Sequence, residues 1–472
     1  MVRMVYNFVV NNKKIFIVSI LLSILAIKLD PYSWIGIILL IFLIAFQIYS
    51  TKNFILFFIL SLLVVSSDIS ETLRIVLNTS ALIFLMYVFF KDYGLQINSY
   101  PKLPSIIKGY VSFTIVIMVF SSLFSDNILT GFDETLRQIL FFVMWYILFA
   151  YLSEEKDSYN YVLVLISAGA IVAIIIIYSF IVSDISIYLL QTQGIIHEGG
   201  SFKNVTAAAG IFAVTIPLTF ILLLLNLKMN KILTYSLYAI LLIQVIGLFL
   251  TNSRSGLMAV FISISIILFI LNRKTFKRFI LFASLSFILF YFILPSISEL
   301  FAIYFRTDRV FENTRYYLWN MSIGIIIDNP IWGTGPGQFK NFMYHHIPVM
   351  LGSWDESQIA WIFKNAGLGE THNFFLFRTA ELGFLGLLGA ILLPAIFIHL
   401  SFKVMKRNFY NRRNYYLLVG IFSLGIGMLI RSFFESTGLL SHGWITRDLP
   451  FWICFAIIIH FYVIRTEKIQ KK

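Results

Sequence analysis

The sequence predicts an all-α polytopic transmembrane helix bundle, with about 12–14 spans and one large extracytoplasmic loop subdomain. Two observations carry this prediction. Hydrophobic residues make up 59% and charged residues only 12% of the 472-residue chain, whereas soluble domains average roughly 45–50% and about 25%. The hydrophobic residues also fall in continuous runs close to the ~20 residues that a helix needs to cross the hydrocarbon core. A water-soluble globular fold is therefore excluded.

The hydrophobic runs give about fourteen candidate spans. Lys13 and Lys14 precede the first run, and no small-x-small cleavage site follows it, so we expect a retained helix rather than a removed signal peptide. In chain order the runs cover residues 14–28, 32–49, 53–67, 73–90, 105–124, 135–152, 160–182, 205–226, 232–250, 254–271, 276–294, 372–400, 414–432 and 449–464. The first three are short, which is typical of tilted or partly re-entrant segments.

Lysine and arginine residues set the expected orientation, because positively charged loops resist translocation. Most of the 36 basic residues, which give the chain a net charge of +13, lie in loops on one side, for example at Arg273, Lys274, Arg412 and Arg413. Short basic runs between apolar segments do not match a nucleic-acid-binding surface. We therefore expect a multi-pass protein of the bacterial inner (cytoplasmic) membrane, with both termini cytoplasmic and the long loop facing the periplasm or exterior.

Three parts follow from this layout: an N-terminal transmembrane bundle at residues 1–294, a large extracytoplasmic loop at 295–371, and C-terminal transmembrane helices at 372–472. A loop of this length is usually functional or disordered. Its sequence indicates order, with a helix from Arg315 to Asp328. A glycine-rich turn at 333–337 and a second short helix at 338–347 follow.

Motifs for metal, nucleotide and disulfide chemistry are missing. The chain has no Asp-x-Asp pair of a metal-dependent nucleotide-sugar site, no Walker A sequence and no His-Glu-x-x-His zinc motif. Its single cysteine, Cys454, has no second cysteine with which to form an intramolecular disulfide. We therefore expect chemistry that uses no metal, ATP or other cofactor.

Arg254 is the first candidate site residue. It follows Ser253 in the segment Thr251-Asn-Ser-Arg-Ser-Gly256, at the expected outer end of a span. A guanidinium carries five N–H donors in a planar fork that suits phosphate oxygens, so Arg254 is placed to bind a lipid pyrophosphate at headgroup depth. An arginine that snorkels to the lipid headgroups fits the same position without a ligand.

Two further candidates lie in or beside the long loop. Arg315 precedes Trp319 by four residues, so both share one face of the predicted loop helix; a solvated or stacked surface arginine is the alternative. His372, beside Asn373, lies where the loop re-enters the membrane. A histidine can act as a general base near neutral pH, and Asn373 can hydrogen-bond a sugar hydroxyl; a structural boundary histidine is the alternative. The charge pattern puts His372, Arg315 and Arg254 on one side of the membrane.

Other polar groups near that side have simpler explanations. Gly335 and Gly337 could cradle an anion with backbone N–H groups, and a plain connector between helices is the alternative. Salt bridges or boundary contacts explain the remaining group: Arg137, His197, Glu198, Arg378, Glu381, Arg431 and Glu435.

The motifs occur in an order that resembles the O-antigen ligase and O-antigen polymerase family over about residues 200–400. The stretches that carry the resemblance are Ser253-Arg254-Ser255-Gly256, Arg315-x-x-x-Trp319, Asp328-Asn329-Pro330-Ile331-Trp332-Gly333-Thr334-Gly335-Pro336-Gly337, His372-Asn373 and Glu381-Leu382-Gly383-Phe384-Leu385-Gly386. Their ordered combination is specific, although each piece alone is weak.

The resemblance implies a membrane glycosyltransferase whose active site lies on the large outer loop and needs neither metal nor ATP. Arg254 and Arg315 would bind the pyrophosphate of an undecaprenyl-pyrophosphate-linked glycan donor. His372 would assist attack by an acceptor hydroxyl, with inversion at the anomeric carbon. The acceptor would be a glycan or lipid A core, and the implied partners are membrane lipid and a chain-length regulator or flippase, with no nucleic acid. The residues expected to contact substrate are Ser253, Asn373, Trp319, Gly335 and Gly337.

Three functions remain open. A polymerase joins repeat units of O-antigen, capsule or exopolysaccharide on their lipid carriers, and a ligase moves a finished glycan to lipid A core or to protein. A lipid-glycan flippase or transporter is the third. Transporters usually show related halves and charged groups near mid-membrane, whereas here the polar residues gather at the outer rim. The sequence therefore favours a transferase, and we predict the polymerase.

Overall fold

The computed structural model describes residues 50–64, 71–94, 100–153, 155–183, 205–225, 231–289, 314–347 and 369–470. Within them the chain forms helices and no strand. The α-helices are α1 (Thr51–Val64), α2 (Glu71–Tyr93), α3 (Ser105–Leu123), α4 (Ile128–Ala150), α5 (Glu155–Val182), α6 (Val205–Leu224), α7 (Lys231–Leu250), α8 (Arg254–Leu271), α9 (Arg273–Ile288), α10 (Thr314–Asp328), α11 (Phe339–Phe342), α12 (Phe374–Asn408), α13 (Arg412–Arg431) and α14 (Ile445–Gln470). A 3₁₀ turn (Met343–His346) follows α11. The predicted all-α fold class is confirmed.

Seven of these helices are long and apolar enough to cross a membrane, so the chain is a multi-pass membrane protein. They are α3, α5, α6, α8, α12, α13 and α14. The predicted run 254–271 coincides with α8, whereas α12 continues beyond the predicted residue 400 to Asn408. The loop helix predicted from Arg315 to Asp328 is α10, which begins one residue earlier. The predicted spans 14–28 and 32–49 lie outside the described residues.

The centre of the bundle is formed by α6 and α14, most of whose residues are buried. Ala207–Ala209 lie on α6 with almost no exposed surface, and such small residues let membrane helices approach closely. A Cβ at Gly210 would lie 3.4 Å from a guanidinium nitrogen of Arg431, so the glycine leaves room for a buried charge. On α14, Trp452 packs edge-to-face on Trp145, whose indole donates to the Trp452 carbonyl at 2.8 Å.

Helix α12 is interrupted at Gly383, where φ is +65°. A Cβ there would lie 2.0 Å from the carbonyl oxygen of Ile331, so only glycine permits this approach. The glycine-rich turn packs against the interruption. The Gly335 N–H donates to the carbonyl of Glu381 at 2.9 Å, and the Phe384 N–H donates to the carbonyl of Pro330 at 2.8 Å. The turn is therefore a docking element for the long loop.

The two ends of the bundle differ in their charged residues. At the first end, called the site end, lie the first residues of α6, α8, α12 and α14 together with the last residues of α3 and α13, as hydrogen bonds between them show. The opposite, cationic end carries exposed basic residues on α9, α12 and α13. Arg407 lies 5.3 Å from the ring centre of Tyr462, and Arg413 lies 4.0 Å from that of Tyr159. Aromatic faces therefore hold the cations there.

Candidate functional site

The loop of residues 432–444, called the α13–α14 loop, lies at the site end and is held along its length. At its beginning, the Phe374 N–H donates to the carbonyl of Ser432 at 2.8 Å, and the Asn373 side-chain amide donates to the carbonyl of Phe433 at 3.1 Å. Further along, Asp448 at the start of α14 accepts from the N–H groups of Gly438 at 3.0 Å and Ser441 at 2.6 Å. The loop thus spans the first turns of α12 and α14.

Glu435 in this loop is the centre of the polar contacts. Its Oε1 accepts from Arg315 Nη2 at 2.7 Å and from Ser255 Oγ at 3.1 Å, and its Oε2 lies 3.1 Å from His372 Nδ1. The Glu435 side chain is 2% exposed, whereas Arg315 and His372 are 20% and 19% exposed. A buried carboxylate therefore binds two side chains that both reach the surface. We call Glu435, Arg315 and His372 the Glu435 cluster.

Glu435 is held as a carboxylate. Burial by itself raises the pKa of its carboxyl group. The hydrogen bond and charge of His372, followed by the charges of Arg431 and Arg315, outweigh burial and lower this pKa to about 2. Arg431 is itself 1% exposed and donates to the carbonyl of Thr206 at 2.6 Å. The carboxylate is therefore charged throughout the physiological pH range, and it orients its partners.

His372 has a backbone conformation that few residues adopt. Its φ is +50°, and Asn252 and His442 are the other non-glycine residues with positive φ in the described part of the chain. Strain of this kind persists only where the surroundings fix it, and it concentrates at functional sites. Two features fix it here. Thr371 Oγ donates to the carbonyl of Asn373 at 2.6 Å, and Asn373 Oδ1 accepts from Leu376 N at 3.0 Å as the N-cap of α12.

Arg315 is placed by α10. The inner face of this helix, including Leu318 and Met321, packs on the 3₁₀ turn Met343–His346 and on α12 near Phe377. That packing leaves Arg315 directed at Glu435 from the first turn of α10. Trp319 follows one turn later and is half-buried. The predicted Arg315–Trp319 helix face thus lies beside the α13–α14 loop.

Ser253 and Arg254 reach the site through the start of α8. Ser253 caps α8, since its Oγ accepts from Gly256 N at 3.3 Å, and it also lies 3.3 Å from Ser255 Oγ. Ser255 in turn donates to Glu435. Arg254, half-buried between the two serines, is the first residue of α8. The positive end of the helix dipole adds to its charge.

Gly335 and Gly337 lie elsewhere. Both have positive φ, at +101° and +74°, and a Cβ would lie 2.4 Å from Ser125 at Gly335 and 2.8 Å from Glu134 at Gly337. The Gly335 N–H is bonded to Glu381. The structure gives these glycines a packing role, and a substrate contact by either one stays a prediction.

A second group of arginine, histidine and glutamate lies where α12 meets the end of the loop. Arg378 Nη1 lies 3.1 Å from His442 Nδ1, and His442 Nε2 bonds to Glu381 Oε2. An arginine only donates, so His442 accepts at Nδ1 and carries its proton on Nε2. The His442 and Glu381 side chains are 4% and 1% exposed. We call these three residues the Glu381 cluster.

A third ion pair borders the loop. Arg447 Nη1 lies 2.7 Å from Glu370 Oε1, and Ser436 Oγ donates to Glu370 Oε2 at 2.6 Å. Burial acts to raise the pKa of Glu370, but the charge of Arg447 and the Ser436 hydrogen bond lower it below the usual value. Arg447 also lies 4.0 Å from the ring centre of Trp444. Within the described residues, no group of three or more His, Cys, Asp and Glu is arranged to hold a metal ion.

Sequence reasoning found Arg254, Arg315 and His372 but assigned Glu435 to a salt bridge or boundary contact. The salt-bridge part of that expectation holds, and the structure adds that the same carboxylate also binds His372 and Ser255. A glutamate four residues after Arg431 at the end of a span was the available signal. Nothing local indicates its partners.

Comparison with known protein families gives a match over part of the chain. The family model described as O-antigen ligase matches residues 237–391, which include α8, α10, the glycine-rich turn and the first half of α12. No curated protein matches the chain. The matched segment carries Arg254, Arg315 and His372, and Glu435 lies beyond it. Residues 237–391 therefore match an O-antigen ligase family domain, and the chain that carries this domain is a multi-pass membrane protein.

Proposed function

We propose that this protein transfers a glycan from a lipid pyrophosphate, of the undecaprenyl type, to the hydroxyl of a second lipid-linked glycan at the outer face of the cytoplasmic membrane. The proposal rests on the contacts of Glu435. It binds His372, Arg315 and Ser255, which lie 63, 120 and 180 positions away in the chain. Three candidate segments of the sequence thus meet at one carboxylate.

Donor binding is assigned to Arg315 and Arg254. Arg315 Nη2 donates to Glu435 at 2.7 Å, and the planar fork of a guanidinium suits phosphate oxygens, so this side chain is assigned to the donor pyrophosphate. Arg254 brings a second guanidinium at the positive end of α8. Ser253 and Trp319 flank these two side chains and are assigned to the headgroup and first sugar.

Proton transfer is assigned to His372. Its Nδ1 donates to the Glu435 carboxylate, as in the carboxylate–histidine pairs that hold an imidazole in one tautomer and stabilise its charged form. Nε2, which has no partner among the described residues, then takes the proton of the acceptor hydroxyl. The acceptor oxygen bonds to the anomeric carbon while the bond from that carbon to the pyrophosphate oxygen breaks. A single displacement of this kind inverts the anomeric configuration.

The energetics suit an outer-face site. A lipid pyrophosphate is already an activated leaving group, so no nucleotide is required. Two guanidinium groups stabilise the negative charge that grows on the departing oxygen, and removing one such donor typically costs about 10²–10³-fold in rate. The base contributes typically ~10²–10⁴-fold.

The acceptor distinguishes a polymerase from a ligase. We propose the polymerase role, in which the acceptor is a second lipid-linked repeat unit in the same membrane. Lipid A core and protein acceptors are the ligase alternative.

The experiment uses the purified protein in lipid vesicles with one undecaprenyl-pyrophosphate-linked oligosaccharide and EDTA, and resolves the products by size. A ladder of multiples is expected. If the donor is consumed only after lipid A core or protein is added, the polymerase role is contradicted and the ligase role is supported. No transfer with any acceptor would contradict a transferase and favour a transporter.

Arg315→Ala is the test variant for this assay, and Arg273→Ala is its matched control. Arg273 is an exposed arginine of the cationic end, 5.4 Å from the ring centre of Phe269. Loss of the ladder with the first variant and retention with the second supports the assignment of the site. A product ladder formed by Arg315→Ala would contradict the role in donor binding that is assigned to Arg315.

A further inference from the structure

We propose that His442 is a positioning residue for the transfer site. His442 holds the α13–α14 loop in place, so that Glu435 in this loop faces His372. The inference rests on the proposed function of that site. His442 itself takes no part in the chemistry, because its ring is buried and both ring nitrogens are bonded within the Glu381 cluster.

Helix α12 and the α13–α14 loop are joined at two places. His372 stands immediately before α12 and Glu435 stands early in the loop, and the two segments are bonded near this point through Phe374 and Ser432. A second connection lies further along both segments, where His442 bonds to Arg378 and Glu381. Two connections fix the relative orientation of two segments, whereas one leaves rotation possible.

The backbone of His442 has an unusual conformation. Its φ is +49°, in the left-handed region that residues with a Cβ rarely adopt. A strained residue persists only when its surroundings over-determine it. The bonds from both ring nitrogens to α12 supply this constraint.

Glu381 also accepts hydrogen bonds from other parts of the site end. Its Oε1 accepts from Phe339 N at 3.2 Å, and its backbone carbonyl accepts from Gly335 N at 2.9 Å. His442 therefore connects the α13–α14 loop to the same residue that docks the glycine-rich turn and α11. Because the 3₁₀ turn that directly follows α11 packs against α10, the helix that carries Arg315 is fixed from the same point.

Two variants separate positioning from folding. Asparagine tolerates positive φ but is too short to bond both Arg378 and Glu381, so His442→Asn removes the connection while keeping the backbone. Glutamine offers one acceptor and one donor at greater reach, so His442→Gln retains it. His399→Asn, at an exposed histidine near the other end of α12, is the matched control.

We expect His442→Asn to lower kcat roughly tenfold, within the effect of a small misplacement of reacting groups. It leaves the KM for the lipid-linked donor unchanged and alters the pH profile of kcat. His442→Gln and His399→Asn retain both the rate and the profile. A merely structural role predicts less folded protein, with kcat per folded molecule and its pH profile as in the wild type, and this result would overturn the inference.

A measurement without turnover keeps the inference separate from the proposed function. In protein labelled with ¹⁵N at the histidine rings, the His372 signals are assigned by their loss in His372→Gln. We expect the His372 Nδ1 signal to move in His442→Asn, because its hydrogen bond to Glu435 changes, and to stay in His442→Gln. An unmoved signal in His442→Asn overturns the inference. If the wild type transfers no glycan while the signal moves, the proposed function fails and the positioning of His372 by His442 stands.

Discussion

The Glu435 cluster and the Glu381 cluster contain the same three residue types and differ in arrangement. In the first, the carboxylate is central and buried, and its histidine and arginine are 19% and 20% exposed. In the second, the histidine is central, and its side chain and that of the glutamate are at most 4% exposed. The histidine and arginine of the first cluster can therefore contact a substrate, whereas the histidine and glutamate of the second are enclosed within the protein.

The residue types in a cluster therefore do not by themselves identify a reactive group of residues. Both clusters would look alike as charged positions near helix ends. The two clusters differ in the exposure of the histidine and in whether one of its ring nitrogens can reach a substrate. A buried carboxylate activates an exposed histidine, whereas a histidine whose two nitrogens are both bonded within the protein has no nitrogen open to a substrate.

The largest effect is expected for Glu435→Gln. The amide oxygen can still accept from Arg315 and Ser255, but its NH₂ group then faces His372 Nδ1. Nδ1 must accept, and the proton moves to Nε2, where it blocks the base. We expect kcat to fall on the order of 10³–10⁴-fold, the effect of a wrong tautomer in such pairs, in a steady-state assay with folded protein. A loss below tenfold would contradict the central role of the carboxylate.

His372→Ala is expected to lower turnover by a similar factor, about 10³–10⁴-fold, because the general base is removed. Donor binding is retained, since the arginines remain. Equilibrium binding of a fluorescent lipid-linked donor, measured beside kcat, separates the two effects. Complete loss of donor binding would show that His372 positions the donor rather than accepting a proton.

Arg254→Ala and Arg315→Ala are each expected to lower transfer about 10²-fold, the typical effect of one lost donor to a developing charge. Transfer per folded protein is compared with a lysine variant at each position. Lysine keeps the charge but not the fork, so partial recovery is expected. Wild-type activity in either alanine variant would show that the substituted arginine is not needed for transfer.

A smaller effect on rate and a larger one on stability are expected for Glu381→Gln. The glutamine leaves a buried donor against His442 Nε2, and an unsatisfied buried group costs about 1–3 kcal/mol. Thermal unfolding in detergent should show a lowered transition temperature, while some transfer persists. Stability like that of the wild type, with transfer abolished, would make the Glu381 cluster a reactive site and end the comparison.

The smallest effect is expected at the cationic end. Arg413→Ala removes a guanidinium that is exposed and stacked on Tyr159. Such contacts are worth roughly 0.5–1 kcal/mol at exposed positions, so transfer and yield should stay within about twofold. A loss as large as that of Arg315→Ala would mean that loss of any arginine impairs the protein.

The sequence was sufficient for the helices and for part of the site. Continuous apolar runs predict α8 and α13 nearly to the residue, because a span must satisfy its backbone within itself. Arg254, Arg315 and His372 could be found because polar residues at expected helix ends are conspicuous in an apolar chain. The break at Gly383 could not be predicted, because it depends on the close approach of Ile331.

The carboxylate at the centre of the site could not be assigned either. Glu435 acquires its role only when α8, α10 and α12 bring their first residues to the α13–α14 loop. The glycine-rich turn shows the opposite case, since its pattern fits an anion cradle and its N–H at Gly335 is bonded to Glu381. Local spacing states what a segment can do, and tertiary contacts select among these options.

The most direct test of the account is a double-mutant cycle between Glu435 and His372, measured as the transfer rate in vesicles. If the carboxylate acts through the histidine, Glu435→Gln and His372→Ala together should lose about as much rate as the worse of the two alone, because residues that act as a unit are strongly non-additive. Losses that multiply would mean that Glu435 and His372 act independently, and would contradict a site organised by one carboxylate.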